Sequence, residues 1–317
     1  MTDGTTDDMK NDMKNDDKIF LGQLTTEGRN PDSMNLDELS ALEIVKLINA
    51  EDAKVAAAVE KVAEPIAQAV DVIACQMGKG GRLIYIGAGT SGRLGVLDAV
   101  ECPPTFNTDP GDVLGLIAGG PAGMLLAVEG AEDSFGQGRQ DLEAVQLNAT
   151  DVVVGIAASG RTPFVIGGLD YARSIGAFTI GFACNADAEL IEHADLNILP
   201  VVGPEVLTGS TRMKAGTATK MVLNMLTTGA MVKSGKTYSN LMVDLRATNI
   251  KLTERSTRIV AELAQCDFAT AAEQLECCGG EVKTAIVSFS MNLSADEARS
   301  RLASVGGHLR EALAATS

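Results

Sequence analysis

The stretch that decides the fold is Ile86-Gly-Ala-Gly-Thr-Ser-Gly-Arg-Leu-Gly-Val-Leu-Asp-Ala-Val-Glu-Cys-Pro-Pro-Thr105. It begins where the apolar run 83–86 meets a glycine-rich turn, and it continues into a helical pattern. In a strand–turn–helix unit of this kind, unpaired backbone N–H groups and the positive end of the helix dipole point at one place. Glycine lets the backbone approach a phosphate, and the hydroxyls of Thr90 and Ser91 can donate hydrogen bonds. The stretch therefore predicts an anion site that includes Gly92.

The same glycines also have the spacing of a dinucleotide-binding fingerprint. That interpretation requires an acidic residue about 20 residues further on, at the end of a second strand. The residues that follow are instead Glu101-Cys-Pro-Pro, and two prolines do not fit inside a central strand. The pattern therefore disfavours a nicotinamide site.

Composition narrows the class of partner. The 317 residues are 45% apolar and 3% aromatic, with no Trp, and carry a formal net charge of −16. An acidic chain with few aromatic side chains repels nucleic acid and anionic membranes and offers little base stacking, so we expect neither partner. An anionic small molecule must then be held by local groups.

The six cysteines show neither the spacing of a zinc site nor that of a disulfide framework. The N-terminus lacks the features of a secretory signal, and no apolar run is long enough for a membrane span. We therefore predict a cytoplasmic protein without a metal site.

The pattern along the chain predicts four regions. Residues 1–18 are expected to form a disordered acidic tail, 19–75 an N-terminal helical segment, 76–245 an alternating α/β domain and 246–317 a helical C-terminal domain. Alternation of strands and helices predicts a parallel sheet with ligands beyond the carboxyl ends of its strands. The expected strands are 82–86, 113–117, 151–157, 178–182 and 196–200, and the expected helices of this region are 92–100, 124–132, 162–174 and 214–234.

Three further segments carry polar side chains suited to a ligand. Ala158-Ser-Gly-Arg-Thr-Pro163 follows an expected strand and opens a helix, with Pro suited to the first helical turn. The segment Glu205–Gly216 contains hydroxyls and cations, and it is interpreted either as a ligand site or as a hydroxyl-rich helix cap. The polar segment 25–31 is interpreted as a plain loop, with a role in the site as the alternative. The candidate ligand-binding residues in these segments are Ser159, Gly160, Arg161, Thr162, Glu205, Ser210, Thr211 and Lys214.

Acid–base chemistry would fall to carboxylates. The two histidines, His193 and His308, lie near no hydroxyl motif, so a Ser-His-Asp triad is not expected. Glu129 and Glu132 are three residues apart and would share a face of the predicted helix, which taken alone is typical of a solvated acidic surface.

Two blocks, Gly87–Ala99 and Glu101-Cys-Pro-Pro-Thr105, resemble the signature of the N-acetylmuramic acid 6-phosphate etherase family within the sugar isomerase (SIS) superfamily. The resemblance extends over nearly the whole chain. It implies an α/β fold, a SIS-type three-layer sandwich with a central parallel sheet, N-terminal helices and a small C-terminal helical bundle. It also implies a homodimer.

The activity implied by this resemblance is cleavage of the lactyl ether of N-acetylmuramic acid 6-phosphate to N-acetylglucosamine 6-phosphate and D-lactate, in cell-wall amino sugar recycling. The resemblance makes Glu101 the acid for lactate departure and then the base for incoming water. Glu132 is the second acid/base, and no cofactor is needed. The 159–162 loop resembles the phosphate loop of SIS domains.

Two alternatives stay open at this stage. One is a SIS aldose–ketose isomerase that uses Glu205, which matches a catalytic glutamate of relatives such as glucosamine-6-phosphate synthase. Arg212 stands here where those relatives have lysine, which disfavours that activity. The other is a non-catalytic sugar-phosphate sensor similar to the glucokinase regulatory protein.

Overall fold

The computed structural model of the protein describes residues 25–245 and 250–314, and the predicted tail 1–18 lies outside them. The described chain opens with three short 3₁₀ turns, Thr25–Glu27, Pro31–Ser33 and Leu36–Glu38. Three helices follow: α1 (Ala41–Asp52), α2 (Val55–Glu60) and α3 (Ala63–Gly78). Ser40 and Glu43 form a capping box that starts α1, because each side chain bonds the backbone N–H of the other residue.

A five-stranded parallel sheet forms the centre of the molecule, as predicted. Its strand order is β2-β1-β3-β4-β5. The chain leaves β1 toward one edge and later returns to pair β3 on the other side of β1, so the switch point of the topology lies between β1 and β3. The strands are β1 (Leu83–Gly87), β2 (Val113–Ile117), β3 (Val152–Ile156), β4 (Phe178–Phe182) and β5 (Leu196–Ile198).

Helices cover both faces of the sheet, which explains why the central strands are continuous apolar runs. Leu83 and Tyr85 of β1 pack toward one helical layer, and Ile84 and Ile86 pack toward the other. The first layer contains α2, α3, α4 (Gly89–Phe106) and α8 (Lys214–Lys233). The second contains α6 (Phe135–Ala144) and α7 (Pro163–Ser174). The result is the predicted three-layer sandwich.

The predicted helix 124–132 is wrong. A short helix, α5, covers only Ala122–Leu125, and residues 126–134 form turns and irregular backbone before α6 begins at Phe135. Gly130 has a φ of +72° within this segment, a conformation that a right-handed helix cannot contain. Glu129 and Glu132 therefore lie on a loop and share no helix face.

Helix α4 is longer than predicted. It continues through Pro103 and Pro104 and ends where Asn107 adopts a left-handed conformation with φ 50°. Both prolines lie in the last turn, after the body of the helix has formed. The consequence is that Glu101 belongs to the helix, three turns beyond its start.

The C-terminal region is helical, as expected, and encloses an apolar cluster that includes Val260, Leu275 and Ile286. A two-stranded hairpin, β6 (Thr237–Tyr238) and β7 (Leu241–Met242), leads into it. The helices are α9 (Ile250–Ala264), α10 (Phe268–Cys277), α11 (Val282–Met291), α12 (Ala295–Ser304) and α13 (Leu309–Leu313). Within the described ranges, no helix combines the length and apolar character needed to cross a membrane. The predicted domain boundaries stay predictions.

Candidate active site

The turn after β1 opens α4 with free backbone amides. The first hydrogen bond of this helix runs from Gly92 N to Ala88 O, at 3.2 Å. The N–H groups of residues 89–91 therefore have no partner within the helix, and Ala88 at the N-cap position supplies no side-chain cap. Thr90 and Ser91 are half-buried here. This helix end has the free donors that an anion requires.

The turn after β1 can form only because Gly92 has no side chain. A Cβ at this position would stand 2.6 Å from Gly87 O and 2.7 Å from Ile117 Cγ1, much closer than carbon atoms approach these groups. The buried glycine thus lets the start of α4 lie directly against the ends of β1 and β2.

The loop after β3 differs from the loop after β1. Gly160 has a φ of +76° and fits closely against Ala188, and Arg161 N donates to Ser159 Oγ at 3.3 Å. Pro163, the first residue of α7, has no N–H, and Phe164 N donates to Glu132 O at 3.0 Å. The helix end is therefore closed.

The second loop keeps polar side chains at the carboxyl end of β3, next to β1. This place, where the loops that follow the two strands diverge at the switch point, is called the crevice below. The hydroxyl of Thr162, at the N-cap position of α7, makes no capping hydrogen bond, and both Ser159 and Thr162 are half-buried. This loop consequently offers hydroxyls to a ligand, whereas α4 offers amides.

A cavity of about 340 Å³ lies beside the start of α4, on the β2 side of β1. Glu129 and Glu132 line it, and both are exposed at its rim. The hydrogen bond from Phe164 N to the Glu132 carbonyl ties this rim to α7. The loop, rather than a helix, thus brings Glu132 to the cavity. The other lining residues are Ala88, Gly89, Arg93, Ala118, Gly123, Leu126, Ala127, Val128, Gly130 and Ala131.

Arg93 is a cavity residue that sequence reasoning missed. It lies one turn beyond Thr90, and its Nε and Nη2 donate to the carbonyls of Met124 and Leu126, at 3.0 and 3.2 Å. In the described part of the chain, no carboxylate lies within 4.0 Å of its guanidinium nitrogens. The sequence signal that could have found it is its place in the first turns of α4, directly after the glycine-rich turn Gly87–Gly92, which is called the anion turn below.

Glu101 lies outside this cavity. It follows Gly89 by twelve residues, which corresponds to about 18 Å along the helix axis. Its side chain is exposed, and it lies beside the exposed apolar residues Leu97 and Val100, which are 51% and 58% accessible. The opposite side of this turn is buried, where Asp98 bonds to α8. Within one chain, the structure therefore does not bring Glu101 and Glu132 together.

Glu205 and Lys214 have partners within the protein. Glu205 is fully buried, and its two carboxylate oxygens accept hydrogen bonds from the backbone N–H groups of Lys214 and Ala215, both at 3.0 Å. It caps the N-terminus of α8. The Lys214 side chain is 2% exposed and its Nζ donates to Glu51 Oε2 at 2.5 Å. Both side chains thus have partners within the protein, and the expectation that they bind a ligand stays a prediction that these contacts do not support.

The hydroxyl residues before α8 remain close to the anion turn. A Cβ placed on Gly216 would lie 3.6 Å from both Thr90 Cγ2 and Thr211 O, so the start of α8 borders the start of α4. Ser210 and Thr211 are half-buried in this turn, and Arg212 is exposed. The turn therefore lies next to the start of α4.

The segment 25–31 is more than a plain loop. Thr26 N donates to Asn185 Oδ1 at 3.3 Å, and Asn185 in turn bonds the carbonyl of Ala158. Asn30 donates through Nδ2 to Glu51 Oε2 and to Pro204 O, at 2.9 and 3.2 Å. The segment thus links the loops that follow β3, β4 and β5.

Glu51 joins this segment to α8, because its carboxylate accepts hydrogen bonds from both Asn30 and Lys214. Burial by itself raises the pKa of its carboxyl, but hydrogen bonds from Lys214, Lys54 and Asn30 outweigh that effect and lower the pKa to about 2. The carboxylate is therefore charged at neutral pH and compensates the buried ammonium group of Lys214. Among residues 25–245 and 250–314, no cluster of three or more His, Cys, Asp or Glu side chains is placed to hold a metal ion.

Comparison with known proteins identifies the family. The model of the glucokinase regulatory protein N-terminal SIS domain matches residues 65–173, and the SIS domain model matches residues 140–229. An N-acetylmuramic acid 6-phosphate etherase of Rhodopirellula baltica is 59% identical, over 94% of this chain and 98% of that relative. The chain belongs to the N-acetylmuramic acid 6-phosphate etherase family. The family predicted from the sequence is thus confirmed.

A second etherase matches this chain over a similar length. The etherase of Serratia proteamaculans is 57% identical, over 92% of this chain and 99% of that relative. Among solved structures, a putative phosphosugar isomerase involved in capsule formation from Bacteroides fragilis is 19% identical, with a TM-score of 0.47, over 62% of this chain and 92% of that chain.

Proposed function

We propose that this chain cleaves the lactyl ether of N-acetylmuramic acid 6-phosphate, releasing N-acetylglucosamine 6-phosphate and D-lactate. The observation that carries the proposal is the cavity at the carboxyl edge of the sheet, where the open N-terminus of α4 and the carboxylate of Glu132 border the same space. Family membership supplies the substrate class, since the relatives that match nearly the whole chain are named for this reaction.

In this proposal the phosphate binds at the crevice between β1 and β3. We assign phosphate binding to the free amides of residues 89–91 and to the hydroxyls of Thr90, Ser91, Ser159 and Thr162, none of which caps its helix with a side chain. Such a site neutralises a phosphate with dipoles and hydrogen bonds, which suits a protein of net charge −16. The sugar then extends toward the cavity on the β2 side.

The chemistry requires two proton-transfer groups. Opening of the sugar ring gives an aldehyde, which makes the proton on C2 acidic, and a base removes that proton. An acid protonates the ether oxygen on C3 as the C–O bond breaks and lactate leaves, and water then adds to C3 of the unsaturated aldehyde. The substrate's own carbonyl accepts the electron pair. We assign Glu132, at the cavity rim, to transfer of the C2 proton.

We assign Glu101 to lactate departure and water addition, and we propose that a second copy of the chain supplies it. Glu101 is exposed, twelve residues beyond the start of α4, and is bordered by exposed Leu97 and Val100. Arg93 at the cavity and Glu101 lie four residues on either side of Leu97. An antiparallel, two-fold pairing of α4 centred on Leu97 would therefore bring Glu101 of one copy to the cavity of the other. This homodimer completes the proposed site.

The isomerase alternative receives no support from the geometry. It requires Glu205 as a base beside the sugar, whereas both carboxylate oxygens of Glu205 accept hydrogen bonds from the backbone of α8. We also propose a cytoplasmic location, which the free state of all six cysteines supports.

Incubation with N-acetylmuramic acid 6-phosphate should release D-lactate, measured with a lactate-specific assay. In heavy water the product N-acetylglucosamine 6-phosphate should carry deuterium at C2, because the base removes and returns a proton there. Fructose 6-phosphate serves as the control substrate, and its isomerisation in place of lactate release would refute the etherase proposal. Lactate release without label at C2 would instead indicate direct displacement at C3.

A further inference from the structure

We propose that Arg93 binds the carboxylate of the substrate's lactyl group and thereby selects the ether substrate over phosphosugars that lack this group. The inference rests on the proposed etherase function and adds a second anion subsite to it. This subsite uses a charged guanidinium, whereas the proposed phosphate site next to it uses amides and hydroxyls.

The guanidinium of Arg93 is held in place with donors to spare. Its Nε–H and one Nη2–H are used by the carbonyls of Met124 and Leu126. A guanidinium has five N–H donors, so three remain for a ligand. Because the two carbonyls hold the planar group in one orientation, its remaining donors are preorganised for a carboxylate, which guanidinium groups bind through paired hydrogen bonds.

The position of Arg93 matches one end of the substrate. The hydroxyls assigned to phosphate binding flank the crevice between β1 and β3, whereas Arg93 lines the cavity on the β2 side, one helical turn beyond Thr90. The substrate carries its phosphate on C6 and its lactyl group on C3, so the two anionic groups are attached at separate points of the sugar. We place the phosphate in the crevice and the lactyl group in the cavity that Arg93 lines.

The charges around the cavity make this cation necessary. Glu129 and Glu132 line the same space, and both would repel a carboxylate. Among the cavity-lining residues of the described chain, Arg93 is the one cationic side chain. It therefore offsets the repulsion where the lactyl carboxylate must lie next to the acid–base residue.

A matched pair of ligands tests the inference, since N-acetylglucosamine 6-phosphate differs from the substrate by the lactyl group. We expect Arg93→Gln to raise the KM for the etherase substrate about 30-fold, the loss typical of a charge-assisted hydrogen bond. The inhibition constant of N-acetylglucosamine 6-phosphate should change less than about threefold. Arg93→Lys should give an intermediate KM, because lysine keeps the charge but lacks the planar fork.

Arg139→Gln is the control for loss of a positive charge, because Arg139 is exposed and pairs with Glu143 on α6. It should leave both constants unchanged. Equal weakening of substrate and N-acetylglucosamine 6-phosphate by Arg93→Gln would show that Arg93 serves the phosphate or the loop, and would overturn the inference. An unchanged KM would also overturn it.

If the wild-type protein releases no lactate, the proposed function fails, and calorimetric titration decides the subsite separately. Wild type should then still bind N-acetylmuramic acid 6-phosphate more tightly than N-acetylglucosamine 6-phosphate, and Arg93→Gln should abolish that difference. Equal binding of the two ligands by the wild-type protein would refute the role of Arg93.

Discussion

At the scale of single residues, the buried pair of Lys214 and Glu51 shows how a charged side chain is withdrawn from a site. Their side chains are 2% and 3% exposed, and Asn30 adds a hydrogen bond to the same carboxylate. Two charges removed from water are stable together only when each is compensated by the other and by hydrogen bonds. The pair therefore anchors the N-terminal segment to α8 and gives Lys214 a charged partner within the protein.

Replacing Glu51 with Gln should destabilise the protein by about 3 kcal/mol, because the ammonium group of Lys214 then lacks its buried counter-charge. Asp71→Asn is the matched control, since Asp71 forms an exposed pair with Lys233. It should change the free energy of unfolding by less than about 0.5 kcal/mol. Urea denaturation measures both. Equal losses in the two variants would contradict the structural role of the buried pair.

The same pair predicts a pH dependence of stability. The pKa of Glu51 is about 2 in the folded protein and 4.5 as its ordinary value. Between these values the unfolded chain binds the additional proton, so acid favours unfolding. The contribution of Glu51 is complete above pH 4.5 and is lost as the pH falls toward 2. The difference in unfolding free energy between wild type and Glu51→Gln should therefore shrink from pH 7 to pH 3, and a constant difference would contradict the assignment.

At the scale of elements, the turn between β1 and α4 depends on close contact between backbones. The start of α4 contacts the ends of two strands, and this contact fixes the position of the free amides of residues 89–91. A side chain at Gly92 would separate the helix from the strands. The geometry of the proposed anion site is thus a property of the strand–turn–helix unit.

Gly92→Ala should reduce stability by about 1–3 kcal/mol, because its Cβ would meet Gly87 O and Ile117 Cγ1 inside contact distance. Binding of N-acetylglucosamine 6-phosphate should weaken in parallel. Gly136→Ala in α6 is the control, since a Cβ at that position would meet no neighbouring atom within 4 Å and alanine favours helix. Thermal unfolding should show a lower Tm for the first variant and an equal or higher Tm for the second. A Tm for Gly92→Ala equal to that of wild type would refute the packing argument.

At the scale of the whole molecule, the two proposed catalytic carboxylates lie apart within one chain, and Glu101 lies on the exposed face of α4. Glu132 borders the cavity of its own chain, whereas Glu101 stands about 18 Å along the helix from the start of α4. The proposed two-fold dimer would bring them together, because each chain would contribute one carboxylate to each site.

Subunit complementation tests this arrangement. Glu101→Gln and Glu132→Gln homodimers should each be inactive. A mixed dimer of the two variants, purified with two different tags, has one site that contains both intact carboxylates and should show about half of the wild-type activity. An inactive mixed dimer would place both carboxylates on one chain, and a monomer in sedimentation velocity would exclude the arrangement altogether. Wild-type chains carrying the two tags provide the control for tagging and exchange.

The strands and the anion turn could be predicted from the sequence because their signals are local. An apolar run flanked by turn residues specifies a buried strand, and the Gly87–Gly92 pattern specifies a tight turn into a helix. The loop at 126–134 could not be predicted in the same way. The spacing of its carboxylates matches a helix. The positive φ of Gly130 ends the helical pattern, and the residues beside Gly130 give no sign of this conformation in the sequence.

By itself, the sequence determined the α/β class, the position of the helix that follows the glycine-rich turn after β1, and membership in the etherase family. Only the tertiary structure decided which polar side chains remain free to act. Glu205 and Glu132 are both acidic residues in ligand-like segments, yet one caps a buried helix end and the other borders a cavity. The reason is physical: the availability of a charged group depends on its burial and on its hydrogen-bond partners, and those partners come from distant parts of the chain.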